Sequence, residues 1–135
     1  MKCVMIINEQ LPLGLIANTS AVLALSIGEK IRGIIGEDVI DKDGQIHRGI
    51  TKVPIPLLKG DNGSIRSIRE KLLEDGSDEI FFVDFCDVAQ KCKNYDEYKT
   101  KLQKSSEEQL SYLGIAIYGP TKKINRLTGN IGLLR

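Results

Sequence analysis

Three short apolar runs, each closed by polar or turn-forming residues, punctuate the chain: Cys3–Ile7, Ile80–Val83 and Leu113–Tyr118. A continuous apolar run of this length is the pattern of a strand covered on both faces, whereas a strand with one wet face alternates. Each run is therefore predicted to be a buried strand. The intervening segments follow helical spacing. Leu15–Ile31 carries Ala17, Ala21, Val22, Leu25 and Ile31, with Gly28 near its end, and predicts a helix whose small side lies close to a sheet. Gln10–Gly14 before it is a loop, because Pro12 lacks a backbone donor and Gly14 relaxes the backbone. Ile65, Ile68, Leu72 and Leu73 form the apolar stripe of a second helix, Ile65–Asp75, with capping chemistry in Asp61–Ser64 and a terminator in Gly76. A mixed helical region over Cys86–Leu110, a short helix Lys122–Leu127 and a final strand Ile131–Leu134 complete the pattern.

Two segments break the alternation. Asp43-Gly44 between Val39-Ile40 and Gln45-Ile46 predicts an outlying hairpin within Gly36–Thr51, since glycine supplies the positive φ that tight turns require. Val53–Leu58 alternates with Pro54 and Pro56, which suits an edge strand. Strands alternating with helices predict an α/β fold of three-layer type: a mixed sheet with helices on both faces, in a single domain spanning residues 1–135.

Charge and cysteine content narrow the function classes. Lys and Arg number 19 against 18 Asp and Glu, a net charge of +1, so the general basic surplus of a nucleic-acid binder is missing. The apolar stretches are too short to cross a bilayer, and Asn8-Glu9-Gln10 interrupts what a signal peptide would need, so a cytoplasmic protein without a membrane partner is expected. Cys3, Cys86 and Cys92 are odd in number and lack metal-ligand spacing, which predicts neither a disulfide framework nor a zinc site. Cys3 reads as a small core hydrophobe. Cys86 and Cys92 read as residues on different faces of one helix. A cysteine nucleophile needs a nearby base, and the single histidine, His47, belongs to the hairpin, where it reads as a surface residue.

The candidate site follows from the fold class. In open α/β sheets ligands bind beyond the carboxyl ends of the strands. If the strands are parallel, Asn8–Gly14, Asp84–Asp87 and Tyr118–Pro120 converge on one such edge. Gly14 and Asn18 open the first helix, where free N–H groups hold an anion or the residues serve only turn and packing. Asp84 and Asp87 after the middle strand supply either an acid/base pair or a helix cap. Glu9 would complete an acidic trio, but no spacing supports a metal, and without a GxGxxG or Walker pattern no cofactor is expected.

These residues also carry a family resemblance. Lys2-Cys3-Val4, Leu11–Gly14, Ala17-Asn18, Ala21–Leu23, Val83–Phe85, Asn94–Tyr98 and Gly119-Pro120 through Leu127–Gly129 resemble the domain of unknown function 2000 family over essentially the full length. The resemblance implies a fold similar to peptidyl-tRNA hydrolase II, with no established activity. Ile115–Pro120, Thr128-Gly129 and Leu133-Leu134 are similar to that hydrolase's closing segments, and Val83-Asp84 to the strand end bearing its active-site aspartate. The departures bear on mechanism. The hydrolase's lysine-rich loop is here Leu11-Pro12-Leu13-Gly14-Leu15, its helical histidine corresponds to Ala21, and Phe85-Cys86-Asp87 replaces the basic stretch after its aspartate. Loss of the phosphate-gripping charges argues against tRNA as a partner.

The leading expectation is a small protein binding a small molecule or partner at the strand-end cleft, with Glu9, Gly14, Asn18, Asp84 and Asp87 lining it. The rival is an ester or amide hydrolase with Asp84 as general base and helix N–H groups around an oxyanion. A third reading is an interaction protein that forms a homodimer through Val53–Leu58.

Overall fold

A computed structural model describes residues 1–135 throughout. The elements run β1 (Lys2–Asn8), α1 (Leu13–Lys30), β2 (Val39–Ile40), β3 (Ile46–His47), β4 (Leu57–Gly60), α2 (Asn62–Asp75), β5 (Phe81–Cys86), α3 (Asp87–Lys91), α4 (Tyr95–Gln103), β6 (Tyr112–Gly119) and α5 (Thr121–Thr128). The main sheet has the order β4-β1-β6-β5. β4 lies parallel to β1, and β6 runs antiparallel to both β1 and β5.

The apolar runs fill both sides of this sheet, because successive strand residues point to opposite faces. Val4, Ile6, Tyr112, Ile115 and Ile117 join Ile65, Ile68 and Leu72 of α2 and Ile124 of α5 in one core. Cys3, Met5, Ile7, Leu113 and Ala116 join Leu23 and Ile27 of α1 in the other. The three-layer α/β expectation holds at this level. Burial of both faces explains why β1 and β6 read as unbroken apolar runs. β6 departs from strict alternation at Leu113, where its register with β5 slips between Phe85 and Cys86.

Several expectations are corrected. Because β6 is antiparallel, Tyr118–Pro120 lies at the opposite end of the sheet from Asn8, with Gly119 beside Lys2 at the start of β1. β5 does not stop before Asp84. It continues to Cys86, so Asp84 sits within an outer strand opposite Ile115, and Cys86 is a strand residue rather than a helical one. On α1 the buried stripe is Thr19, Leu23 and Ile27, while Ala17 and Ala21 face outward. The close helix-to-sheet approach is provided by the strand instead. A Cβ on Gly114 would come within 2.7 Å of Thr19 Cγ2 and 3.1 Å of Leu23 Cδ1.

α2 starts at Asn62, three residues before its predicted first turn, with a reciprocal Asp61–Ser64 capping box, and ends at Gly76 in the left-handed region, φ 58°. The outlying hairpin forms as expected. Only Gly44 within it has positive φ, 82°, and the Asp41 carboxylate accepts from the Asp43 and Gln45 N–H groups.

The segment Val53–Leu58 is strand only from Leu57, and the outer edge of that strand is occupied. Leu133 bridges to Leu58, Lys59 N–H donates to the Gly132 carbonyl at 3.0 Å, and Leu134 N–H donates to the Leu57 carbonyl at 2.8 Å. The C-terminal residues thus form a short cover rather than a full strand, and they fill the edge through which a homodimer was expected. No helix is long and apolar enough to cross a membrane.

Candidate functional site

β5 is the outer strand on the side away from β4, so one row of its backbone polar groups faces no neighbouring strand. Beside it the chain builds a cleft of about 350 Å³. Val22 and Ser26 of α1 form one wall, Val83, Asp84 and Phe85 the floor, and Ala89 with Cys92–Tyr95 and Tyr98 the opposite wall. The local reasons are legible in the sequence. Asn94 caps α4 by accepting the Glu97 N–H at 2.8 Å, and the three-residue spacing of Tyr95 and Tyr98 puts both rings on one side of that helix. The rings meet edge to face, with centroids 5.5 Å apart and planes at 82°.

The polar groups around this cleft are mostly unengaged within the chain. Ser26 Oγ, the Asn94 amide nitrogen, Lys93 Nζ and the two tyrosine hydroxyls have no intramolecular hydrogen bond or ion pair, although each has donor capacity. Burial, reinforced by the negative charge of Asp84, holds the Tyr98 hydroxyl above the usual tyrosine range, so it is a protonated donor at neutral pH. The Asp84 carboxylate points toward the α2 face, where Arg69 Nε donates to Oδ2 at 2.9 Å. The Arg69 and Arg66 guanidinium carbons lie 5.7 and 5.1 Å from the centre of the Tyr112 ring. Tyr112 in turn donates to Glu107 at 3.0 Å, and Glu107 is also paired with Arg66. A connected charged network therefore fixes Asp84 at the edge of the cleft.

The other expected site residues are distributed elsewhere. Asp87 clips the chain onto the start of β6, its N–H donating to the Ser111 carbonyl and its carboxylate accepting the Ser111 N–H at 3.1 Å. Glu9 lines a separate groove with Leu13, Ile16, Lys59 and the C-terminal residues. Gly14 and Asn18 lie exposed on α1, and α1 meets the Asp84 cleft only at Val22 and Ser26, so its N-terminal amides do not face Asp84. No three His, Cys, Asp or Glu side chains come together in the manner of cation ligands. The sequence reading reached Asp84 but missed the tyrosine pair, Lys93, Asn94 and Ser26. The available signal was Asn94-Tyr95-Asp96-Glu97-Tyr98, a helix cap followed by two aromatics in a chain with 5% aromatic residues.

A family model described as Protein of unknown function (DUF2000) matches residues 1–135. The chain belongs to this family. Among the solved structures that match is that of a protein of unknown function, Atu0240, from Agrobacterium tumefaciens strain C58. Its TM-score is 0.85 at 20% identity, over 98% of this chain and 96% of that one. The likeness shows a shared fold. No curated protein matches. Two segments by which the chain resembles the DUF2000 family, Val83–Phe85 and Asn94–Tyr98, meet in the same cleft.

Proposed function

We propose that this DUF2000 protein binds a small organic molecule in the β5 cleft, on a scaffold of the peptidyl-tRNA hydrolase II type and in the cytoplasm. The observation that carries the reading is the cleft's composition. Its volume is within the ordinary range for small-ligand sites, and its lining is mostly apolar, with Val83 and Phe85 flanking Asp84 in the floor. Around that floor stand an edge-to-face tyrosine pair and several donors that nothing in the chain engages. Such a surface suits a ring or branched apolar body carrying a carboxylate or carbonyl, the body against Phe85 and Tyr98 and the acceptor toward Lys93, Asn94 or Ser26. The hydrolase-type scaffold rests on the resemblance of Val83-Asp84 and Ile115–Pro120. A tRNA substrate fits poorly, because Lys93 is the only cationic residue lining the cleft and the glycine loop carries no lysine.

The chain has no tryptophan, so its four tyrosines report binding directly. Monocyclic aromatic carboxylates such as benzoate and phenylacetate are expected to change tyrosine emission and to slow alkylation of Cys92. Tyr95→Ala, an exposed position, should remove the emission response without unfolding the protein. Failure of a broad panel of carbonyl and carboxylate compounds to protect Cys92 would refute the reading.

The hydrolase alternative retains one specific support. Asp84 Oδ1 makes no hydrogen bond within the chain while Oδ2 is anchored by Arg69, the arrangement of an oriented proton acceptor. Ester or amide turnover that survives intact in Asp84→Asn would exclude that role.

A further inference from the structure

The charges around the β5 cleft do not cancel. Two charged side chains line it, Asp84 and Lys93. Asp84 is already answered by Arg69, whose Nε donates to Oδ2 at 2.9 Å. Lys93 makes no ion pair, because the acidic side chains of its own wall are engaged elsewhere or lie outside the cleft. Glu97 is paired with Lys101 at 3.1 Å and Asp87 with Lys91 at 3.9 Å, and Asp96 is not part of the lining. Residues 91–104, which build this wall, carry five lysines against Asp96 and Glu97, so the potential over the cleft mouth is positive.

The neutral groups lean the same way. Asn94 Oδ1 is spent on the α4 cap, where it accepts the Glu97 N–H at 2.8 Å, and that bond leaves the NH2 group as the free end of the amide. Ser26, Tyr95 and Tyr98 add hydroxyls, of which Tyr98 is held protonated by its burial. The one acceptor-only side chain in the lining, Asp84, is turned to Arg69. The cleft thus offers donors and one unanswered positive charge, and a ligand has to bring oxygen acceptors and a negative charge.

We infer that the cleft selects its ligands as monoanions, a carboxylate meeting Lys93 and the Asn94 amide while the apolar body lies on Val83, Phe85 and Tyr98. Selection by charge presupposes the small-ligand cleft proposed above and narrows its ligands from carbonyl or carboxylate compounds to monocarboxylates. Charge-assisted hydrogen bonds are roughly twice as strong as neutral ones. Lys93 is exposed, so the carboxylate stays at the rim, keeps part of its hydration and avoids the full cost of burying an ion. A second negative charge would find no second unpaired cation in the lining. Lys93 is therefore the specificity-determining residue, and Asn94 the one that orients the carboxylate.

Benzoate, benzamide and benzamidine share one planar shape and are an anion, a neutral molecule and a cation at neutral pH. Tyrosine emission and protection of Cys92 should rank benzoate roughly tenfold above benzamide, with benzamidine below both. Lys93→Gln should bring benzoate and benzamide together, and Lys93→Glu should reverse the order in favour of benzamidine. The substituted side chain is exposed, so far-UV circular dichroism should remain that of the parent. Asn94→Asp keeps a capping oxygen for α4 but replaces the free amide donor, and should weaken benzoate while the helix stays intact. Benzamide bound as tightly as benzoate by the parent overturns the inference, and so does a preference for benzoate that Lys93→Gln leaves unchanged. Binding of none of the three overturns the small-ligand cleft itself and the inference with it, whereas binding without regard to charge overturns the inference alone.

Discussion

At the residue scale, glycine and threonine divide the work of bringing α1 onto the sheet. Gly114 supplies the space, and Thr19 fills it with Cγ2, which leaves its buried hydroxyl without a hydrogen-bond partner. An orphaned buried hydroxyl is destabilising, and valine has nearly the same shape without one. Thr19→Val should therefore raise stability by about 1 kcal/mol, measured by urea unfolding. A lower midpoint would show that the hydroxyl is satisfied. The three thiols make a second residue-level prediction. Burial pushes the Cys3 thiol up to about 11 and also raises that of Cys86, whereas Cys92 is half-buried in the open cleft. Because the thiolate is the reacting form, native protein at pH 8 should release one equivalent rapidly to a disulfide reagent. Mass mapping should assign it to Cys92.

At the element scale, local chemistry specified several structures unaided. The α2 capping box, its glycine terminator and the hairpin turn were legible because each depends on residues within a few positions of one another. The α1 face was misread for a related reason. With no charge before Glu29, the helix has no polar side to mark the outside, and Ala17–Ala21 competes with Thr19–Leu23–Ile27 as the inward stripe. The arm permits a pH prediction. The Gly49 N–H, then Arg48, holds the Asp38 carboxyl below its ordinary range. His47, then the Gln45 N–H, does the same for Asp41. A lowered folded-state pKa contributes stability that is fully present above the ordinary carboxylate value, near 3.9, and lost as pH falls through the lowered values. The Gly49 and Gln45 amides should accordingly stay protected from hydrogen exchange near neutral pH and lose protection below about pH 4. Protection independent of pH over that interval would remove these carboxylates from the arm's support.

At the scale of the whole molecule, the C-terminal segment completes the sheet. Deleting residues 131–135 would expose the outer edge of β4 and free the Leu57 carbonyl and Lys59 N–H that the segment now satisfies. An unprotected edge recruits other strands. The truncated protein should unfold at lower temperature and associate progressively with concentration, read by calorimetry and light scattering. A truncated protein as stable and disperse as the parent would show that the cover is dispensable.

The sequence by itself determined the three longest strands in outline, most helices and the α/β class, but not the extent of Val53–Leu58 or the closing Ile131–Leu134. Unbroken apolar runs at Cys3–Ile7 and Leu113–Tyr118 can be buried in few ways, and caps act over single turns. It also carried enough resemblance to indicate the family. Only the tertiary structure decided the direction of β6, which a period-two pattern does not encode, and with it the separation of Tyr118–Pro120 from the other strand ends. Only the fold could extend β5 through Asp84, because the carboxylate's place in a strand depends on Arg69, fifteen positions away. The cleft was likewise hidden in the linear pattern. Its walls come from α1, β5 and the α3–α4 segment, and chain folding alone brings Val22, Phe85 and Tyr98 around one volume.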